Sequence, residues 1–164
     1  GMGSVISRDH RNKIESYIRL AEEEGGRILV GGTSADAPVE GVPKHGAFLR
    51  PTVIEGLSHT SRTATEENFG PVVTLHPFHS EDEAVEMANA TEYGLAGSVW
   101  SEDSERGHRL AQRLDTGIVW VNTWLNRDLR TPFGGVKQSG VGREGGAWSV
   151  NFFSELTNIC VQQP

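Results

Sequence analysis

Apolar residues near the start of the chain recur at the spacing of one helix face. They stand at positions i, i+3, i+4 and i+7: Ile14, Tyr17, Ile18 and Ala21. This spacing predicts an amphipathic helix over residues 7–25, which a glycine pair brings to an end. Two short apolar runs follow and predict strands at 27–30 and 52–54, with a polar loop over 33–50 between them.

From residue 72 onward, apolar runs alternate with amphipathic stretches. The runs predict three strands, at 72–75, 96–100 and 118–121. Between them, the capping box Ser80–Glu83 opens a helix that reaches about Ala90, and Ser101 or Asp103 caps a second helix. This order is typical of a parallel α/β sheet. The run at 118–121 contains no polar residue, so we expect it to be buried on both faces.

The pattern changes after residue 121. Residues 122–146 form a glycine-rich stretch with the character of a loop. The last apolar run, Leu156–Val161, predicts a terminal strand that no helix covers. Such a strand has an edge available for pairing with another chain.

The composition narrows the classes of function. The 164 residues carry a net charge of −7 and a pI of about 5.3. Nucleic acids and anionic membrane surfaces are therefore disfavoured as partners, because binding to phosphate groups is driven by basic side chains. No apolar run approaches the roughly 18 residues of a membrane span. The single cysteine, Cys160, excludes an internal disulfide and fits a reducing cytoplasm.

Three short patterns lack the context that their chemistry needs. Gly140–Gly145 matches G-x-G-x-x-G, but it lacks the preceding strand, following helix and acidic residue of a dinucleotide site. His76 and His79 have no second ligand pair, which favours surface or loop positions over a metal site. Cys160 has no basic neighbour in sequence to activate its thiol, which favours a packed thiol over a nucleophile.

The segment Glu66-Glu-Asn-Phe-Gly-Pro71 is more informative. Two acids precede an aromatic residue and a Gly-Pro stop, just before a predicted strand. A carboxylate in this place can accept two hydrogen bonds from a vicinal diol such as a ribose, and the aromatic side chain can pack on a ring. The alternative is an ordinary acidic turn.

A second candidate stretch, residues 122–130, follows the carboxyl end of a predicted strand, where ligands bind in α/β sheets. Trp124 offers a flat apolar wall to a substrate. Arg127 and Arg130 offer planar guanidinium groups that suit a carboxylate. The alternative is a surface loop in which Arg127 and Asp128 are solvated.

Taken together, these residues resemble the C-terminal part of the aldehyde dehydrogenase superfamily. Glu66–Pro71 resembles the family's E-x-F-G-P motif. Three further strings follow in the family's order: Asn89-x-x-x-Tyr93-Gly-Leu95, Val119-Trp-Val-Asn122 and Pro132-Phe-Gly-Gly-Val-Lys-Gln-Ser-Gly-Val-Gly-Arg-Glu144. The strings Trp124–Phe133 and Ser154–Val161 most resemble the branch of 2-hydroxymuconic semialdehyde dehydrogenases. The likeness covers nearly the whole chain.

The resemblance implies oxidation of an aldehyde to an acid with NAD or NADP. A cysteine thiolate attacks the carbonyl, hydride passes to the nicotinamide, and a glutamate activates water. By this resemblance Glu67 holds the hydroxyls of the nicotinamide ribose, and Phe69 packs near the nicotinamide. Phe133 lines the substrate tunnel, and Asn122 supports the active site from behind. Arg127 anchors the carboxylate of a semialdehyde acid.

The resemblance also implies a fold and an assembly. The fold is α/β, a parallel-sheet, three-layer catalytic domain that is present in part over residues 1–150. Residues 151–164 correspond to a terminal oligomerisation strand and tail. Arg143 and Glu155 match positions of a structural ion-pair network near the family's subunit interface. We therefore expect a cytoplasmic homo-oligomer that assembles through the terminal strand and exposed surfaces.

One departure from the family decides the functional expectation. The family's nucleophilic cysteine, its general base and most of its NAD-binding fold lie upstream of the residues that match Gly3–Ile6. The hypothesis is a C-terminal piece of a semialdehyde dehydrogenase, without catalytic residues or a metal, that is inactive alone. NAD or NADP is the cofactor of the complete enzyme, and whether the isolated chain binds it is left open. The alternatives are a non-catalytic assembly module and a retained binding domain for a nucleotide or an aromatic acid.

Overall fold

The computed structural model describes residues 2–36, 38–43 and 45–163 and divides into two compact units, 1–91 and 92–164. The described residues of the first unit form three helices and three strands: α1 (Arg8–Glu23), β1 (Arg27–Val30), β2 (Thr52–Glu55), α2 (Arg62–Thr65), β3 (Val72–Leu75) and α3 (Glu81–Asn89). The described part of the second unit contains two helices and four strands: β4 (Tyr93–Gly94), β5 (Ala96–Val99), α4 (Ser104–Ala111), β6 (Ile118–Val121), β7 (Val136–Lys137) and α5 (Gly146–Phe153).

Helix α1 confirms the prediction made from its apolar spacing. It begins because the Ser7 hydroxyl accepts a hydrogen bond from the amide of His10. Three residues of its predicted apolar stripe, Ile14, Ile18 and Ala21, are fully buried. Tyr17, the fourth, is only half-buried. The chain leaves the helix through Gly25, at a φ of +91° that glycine adopts without a steric penalty.

The sheet of the first unit has the order β1-β2-β3, with β2 antiparallel to β1 and parallel to β3. Two adjoining clusters form its core: Ile14, Ile18 and Leu49 in one, and Ala21, Ile54 and Leu57 in the other. Ile28 of β1 and Val72 of β3 pack against both clusters. The buried stripe of α1 and one side of the sheet therefore form a single apolar layer.

The second unit contains a βαβ motif, in which β5 and β6 pair in parallel and α4 connects them along the chain. Asp103 caps α4 by accepting the amides of Glu105 and Arg106. The helix lies close to β6, because a Cβ on Gly107 would come within 2.7 Å of the Val121 side chain. A second, short pair joins β4 to β7 in antiparallel orientation.

Two expectations for the strands are corrected by the structure. The strands at 72–75, 96–99 and 118–121 form where predicted, but the first pairs with β2, whereas the other two pair with each other in a separate sheet. Strand β6 is not buried on both faces, because only Trp120 is buried and its neighbours are half-buried. Hydrophobic composition predicts a strand, but the partner that covers it is decided by tertiary contacts.

The end of the chain also differs from expectation. No strand forms over Leu156–Val161, and residues 154–163 are exposed. A strand needs a neighbouring edge to accept its main-chain hydrogen bonds, and none of the described strands pairs with this segment. Helix α5, which precedes it, was not predicted. Large apolar side chains are exposed along both, among them Phe153, Leu156, Ile159 and Val161.

Within the residues that the structure describes, no helix combines the length and the apolar character needed to cross a membrane.

The exposed tail predicts self-association of the chain, because covering contiguous apolar side chains removes them from water and lowers the free energy. Leu156 and Ile159 are the residues to change, since both are highly exposed. In sedimentation velocity, we expect the sedimentation coefficient to rise with concentration, and Leu156→Asp with Ile159→Asp to suppress that rise. Asn158→Asp, at an exposed polar position of the same tail, is the control. A monomer at every concentration would contradict this expectation.

Candidate functional site

The Glu66–Gly70 loop follows α2 in the first unit and carries Glu67 and Phe69, the two predicted cofactor contacts. Helix α2 is tied to the end of α1, because the Glu24 carboxylate accepts the amides of Arg62 at 2.8 Å and Thr63 at 3.2 Å. The loop therefore starts from a fixed point.

Glu66, the first residue of this loop, is held by three side-chain hydrogen bonds. Its carboxylate accepts hydrogen bonds from the Arg62 guanidinium at 2.6 and 3.1 Å and from the Tyr17 hydroxyl at 2.8 Å. These bonds, with that of Arg62 the stronger, lower the pKa of Glu66 to about 2. Glu66 is therefore a structural carboxylate that joins α1 to α2.

Phe69 projects from the loop in an unusual backbone conformation. Its φ is +56°, a region that residues with a Cβ rarely adopt. The carbonyl oxygen of Phe69 lies 2.8 Å from Nε2 of His10, and the two rings meet edge to face at 5.9 Å. The Phe69 side chain is nonetheless 74% exposed, so one of its faces is open to a flat ligand.

The loop fits the ribose and nicotinamide that the family resemblance implies. The Glu67 side chain is exposed, and a carboxylate has two oxygens that can accept the hydroxyls of a vicinal diol. Both polar side-chain atoms of Asn68 are buried and have no hydrogen-bond partner among the described residues. Because unpaired buried amides are costly, such a loop suits an additional polar group.

Asn122, in the second unit, follows β6 and binds the chain that leaves β5. Its Oδ1 accepts the amide of Ser101 at 2.8 Å, and its Nδ2 donates to the carbonyl of the same residue at 2.7 Å. The φ of Asn122 is +54°, which asparagine tolerates better than most residues. The side chain therefore joins the carboxyl ends of two parallel strands, the edge where ligands bind in α/β sheets.

Trp124 is held against the end of the same strand. Its ring meets the ring of Trp120 edge to face at 5.0 Å. Trp120 is buried and donates its Nε1 hydrogen to the carbonyl of Asn126 at 2.7 Å. Trp124 remains 56% exposed, so it retains an apolar surface for a ligand.

Arg127 is held on two sides. The centre of its guanidinium lies 3.8 Å from the centroid of the Phe133 ring, and its Nη2 donates to Oε1 of Glu144 at 2.7 Å. Phe133 and Glu144 are themselves joined by two main-chain hydrogen bonds of 2.8 Å. The aromatic ring and the carboxylate that hold the guanidinium are thus parts of one rigid bridge.

Arg130, the other arginine of this loop, binds Asp128. Its Nε donates to Asp128 at 2.9 and 3.1 Å, and these bonds hold the pKa of Asp128 below its ordinary value. The alternative considered from the sequence is a surface loop in which Arg127 and Asp128 are solvated, and both residues are exposed in the structure. Asp128 pairs with Arg130, whereas the Arg127 guanidinium packs on the Phe133 ring.

Arg143 lines an open cavity of about 360 Å³ in the second unit. Its guanidinium donates to the carbonyls of Gly135 at 2.9 Å and Gly142 at 2.7 Å. Glu155 is exposed at the start of the tail. Arg143 therefore orders the glycine-rich stretch, and its ion pairing with Glu155 in a subunit interface stays a prediction.

The structure brings together only some of the predicted site residues. Arg127 and Phe133 are in contact, whereas Trp124 packs on Trp120, and Glu67 and Phe69 belong to the other unit. Glu144 was not singled out from the sequence, because nothing in its spacing predicts the bridge to Phe133. In the parts of the chain that are described, no group of three or more His, Cys, Asp or Glu is placed to hold a metal ion.

His10, Lys13 and Tyr17 were likewise not identified as site residues. They contact the Glu66–Gly70 loop, and they occupy positions i, i+3 and i+7 of α1. That spacing, beside the apolar stripe, is the signal that was available for finding them.

Comparison with known proteins identifies a family. The protein-family model described as "Aldehyde dehydrogenase family" matches residues 1–159 of this chain. A 2-aminomuconic 6-semialdehyde dehydrogenase from Pseudomonas sp is 50% identical over 98% of this chain and 32% of its own length. A 2-hydroxymuconic semialdehyde dehydrogenase from Pseudomonas sp. (strain CF600) is 49% identical with the same coverage. The chain thus spans about a third of the length of the curated relatives it matches.

Solved structures agree with the sequence comparison. A putative aldehyde dehydrogenase from Burkholderia cenocepacia has a TM-score of 0.87 at 43% identity, over 94% of this chain and 31% of its own. The Mycobacterium tuberculosis aldehyde dehydrogenase complexed with NAD+ has a TM-score of 0.87 at 40% identity, with the same coverage. The resemblance inferred from the motifs is confirmed.

The lowered pKa of Glu66 predicts a pH-dependent contribution to stability. Because the pKa falls from 4.5 in the unfolded chain to about 2 in the folded chain, the contribution is complete above about pH 4.5 and is lost as the pH falls toward 2. In urea unfolding, Glu66→Gln should lower the free energy of unfolding at pH 7, and the difference should narrow below pH 4.5. Glu67→Gln is the matched control. A difference that does not vary with pH would contradict this role of Glu66.

Proposed function

Because the chain belongs to the aldehyde dehydrogenase family, we propose that it is part of an NAD(P)-dependent enzyme that oxidises the aldehyde group of a semialdehyde acid. The observation that carries this proposal is the placement of Arg127 on the Phe133 ring. An arginine held in this way suits a substrate that bears a carboxylate as well as an aldehyde. The names of the muconic semialdehyde relatives describe substrates of this kind.

At the substrate end, Arg127 binds the carboxylate of the semialdehyde acid. A guanidinium has five N–H donors, and the bond to Glu144 uses one of them. Packing on Phe133 limits the rotation of the guanidinium, so less conformational entropy is lost when a carboxylate binds. Trp124 supplies an exposed apolar wall for the unsaturated part of the substrate, and Asn122 holds the strand end from which this loop departs.

At the cofactor end, Glu67 accepts the hydroxyls of the nicotinamide ribose, and Phe69 packs beside the nicotinamide. When bound, NAD+ supplies the acceptor for the hydride that leaves the substrate. The role of this chain is to orient the cofactor. Contacts from α1 hold the main chain of the Glu66–Gly70 loop, and the side chains of Glu67 and Phe69 stay exposed.

The nucleophile is supplied by a part of the enzyme outside these 164 residues. Cys160, the single cysteine of the chain, is exposed in the tail. Acyl transfer needs a thiol beside a base and an oxyanion-stabilising group. We therefore infer that residues 1–164 contribute cofactor-orienting and substrate-orienting side chains and have no dehydrogenase activity when expressed alone.

The fold and assembly of the complete enzyme extend the same proposal. Residues 1–150 form part of a three-layer, parallel-sheet catalytic domain. Of residues 151–164, the oligomerisation strand and tail, the part that follows α5 pairs with another subunit, where Arg143 and Glu155 take part in an ion-pair network. The exposed apolar side chains of the tail support this assembly. The single, exposed cysteine fits a cytoplasmic location.

The same tail supports a second candidate function, a non-catalytic assembly module derived from the fold. In this alternative, Leu156 and Ile159 serve association alone, and the Glu66–Gly70 loop binds no cofactor. The two candidates differ in whether the orienting residues affect turnover in a complete enzyme.

The chain of 164 residues is expected to produce no NADH from NAD+ and a muconic semialdehyde, because it contains no cysteine in a catalytic setting. Absorbance of NADH is the measurement. Cys160→Ser serves as a control for any residual signal. Turnover above that of the Cys160→Ser variant would contradict the inactive-fragment proposal.

A complete enzyme that contains this chain should depend on Arg127 for substrates with a carboxylate. Arg127→Ala should raise KM for a muconic semialdehyde by about 10-fold to 100-fold, since a charge-assisted pair contributes roughly 1.5–3 kcal/mol. KM for an uncharged aldehyde should change little. Arg130→Ala, which removes the arginine paired with Asp128, is the matched control. An equal rise in KM for both aldehydes would show that Arg127 does not recognise the carboxylate.

A further inference from the structure

We propose that one face of α1 is a positioning element for the cofactor-contacting loop. The face consists of His10, Lys13, Ile14 and Tyr17, and we call it the α1 face. It sets the conformation of the Glu66–Gly70 loop and, through that loop, the affinity for the nicotinamide half of NAD+. The inference rests on the proposed function of Glu67 and Phe69.

The α1 face forms because its residues stand at positions i, i+3, i+4 and i+7 of one helix. Three of the four make polar contacts with the loop. Nζ of Lys13 donates to the carbonyl oxygen of Glu67 at 3.0 Å. Nε2 of His10 lies 2.8 Å from the carbonyl oxygen of Phe69, and the Tyr17 hydroxyl donates to the Glu66 carboxylate at 2.8 Å.

Ile14 supplies the apolar contact of the α1 face. A Cβ on Gly70 would lie 2.6 Å from Cδ1 of Ile14, so the loop approaches the helix more closely than any larger residue permits. Ile14 is also fully buried in the core. The loop is therefore anchored to the most rigid part of the first unit.

Phe69 depends most on this face. A φ of +56° is sparsely populated by residues with a Cβ, and it persists only where the surroundings hold it. Burial does not hold Phe69, because most of its side chain is exposed. Among the described residues, His10 contacts both the carbonyl oxygen and the ring of Phe69.

The arrangement of these contacts indicates positioning. His10 and Lys13 reach the main-chain oxygens of Phe69 and Glu67, the two residues whose side chains we assign to the cofactor. The carboxylate of Glu67 and the ring of Phe69 stay exposed. The α1 face thus fixes the backbone of the loop and leaves its ligand-binding groups uncovered.

The test compares His10→Ala with His10→Gln, which keeps a side-chain N–H donor. Asn12→Ala, at an exposed position of the same helix, is the matched control. Amide ¹⁵N relaxation of the 164-residue chain measures order at Phe69 and Gly70, and NAD+ titration followed by amide shifts measures affinity. We expect His10→Ala to lower the order parameter of Phe69 from about 0.85 to below about 0.6 and His10→Gln to restore it. The Kd for NAD+ should rise about fivefold to tenfold in His10→Ala, and it should not rise in His10→Gln or Asn12→Ala.

The outcomes separate this inference from the proposed function. Unchanged order at Phe69 in His10→Ala overturns the inference, whatever happens with NAD+. Lost order with an unchanged Kd for NAD+ also overturns it, because His10 would then order the loop without acting on the cofactor. If the unsubstituted chain shows no shifts with NAD+, cofactor binding by this chain fails, and the order parameters alone decide whether the α1 face sets the loop.

Discussion

The contact between Ile14 and Gly70 joins the core of the first unit to its candidate site. Ile14 lies in the core with Ile18 and Leu49, and the same side chain receives Gly70 at a distance that excludes a Cβ. Two adjacent faces of helix α1 therefore have different structural roles. Its apolar stripe covers the sheet, and its neighbouring polar residues hold the loop that carries Glu67 and Phe69. Because the helix is immobilised by its buried stripe, the polar contacts start from a rigid base.

The second unit uses a local bridge for the same purpose. Phe133 and Glu144 are joined by main-chain hydrogen bonds, and their side chains hold the guanidinium of Arg127 between an aromatic face and a carboxylate. Trp120 anchors the start of the same loop by its contact with Trp124 and its bond to Asn126. In both units, the main chain is held by hydrogen bonds and packing, while the side chains of Glu67, Phe69 and Trp124 remain exposed.

Positive φ values coincide with these places. Phe69 and Asn122 both have φ near +55°; Phe69 lies in the connection between α2 and β3, and Asn122 directly follows β6. Each is held by side-chain hydrogen bonds: Phe69 by His10, and Asn122 by its own amide on Ser101. Backbone strain of this kind is typical of functional loops, because it directs a side chain along a line that a relaxed backbone would not give.

Local periodicity is enough to predict α1 and the strands at 27–30, 72–75 and 118–121, because helix and strand spacing are properties of neighbouring residues. The motifs around Glu66–Pro71 and Pro132–Glu144 are likewise readable in one dimension, and they identify the family. The sequence pattern does not reveal which strands pair, that Leu156–Val161 pairs with no strand among the described residues, or that Glu144 binds Arg127. These facts depend on hydrogen bonds and ion pairs between residues far apart along the chain, so they are settled only when the chain is folded.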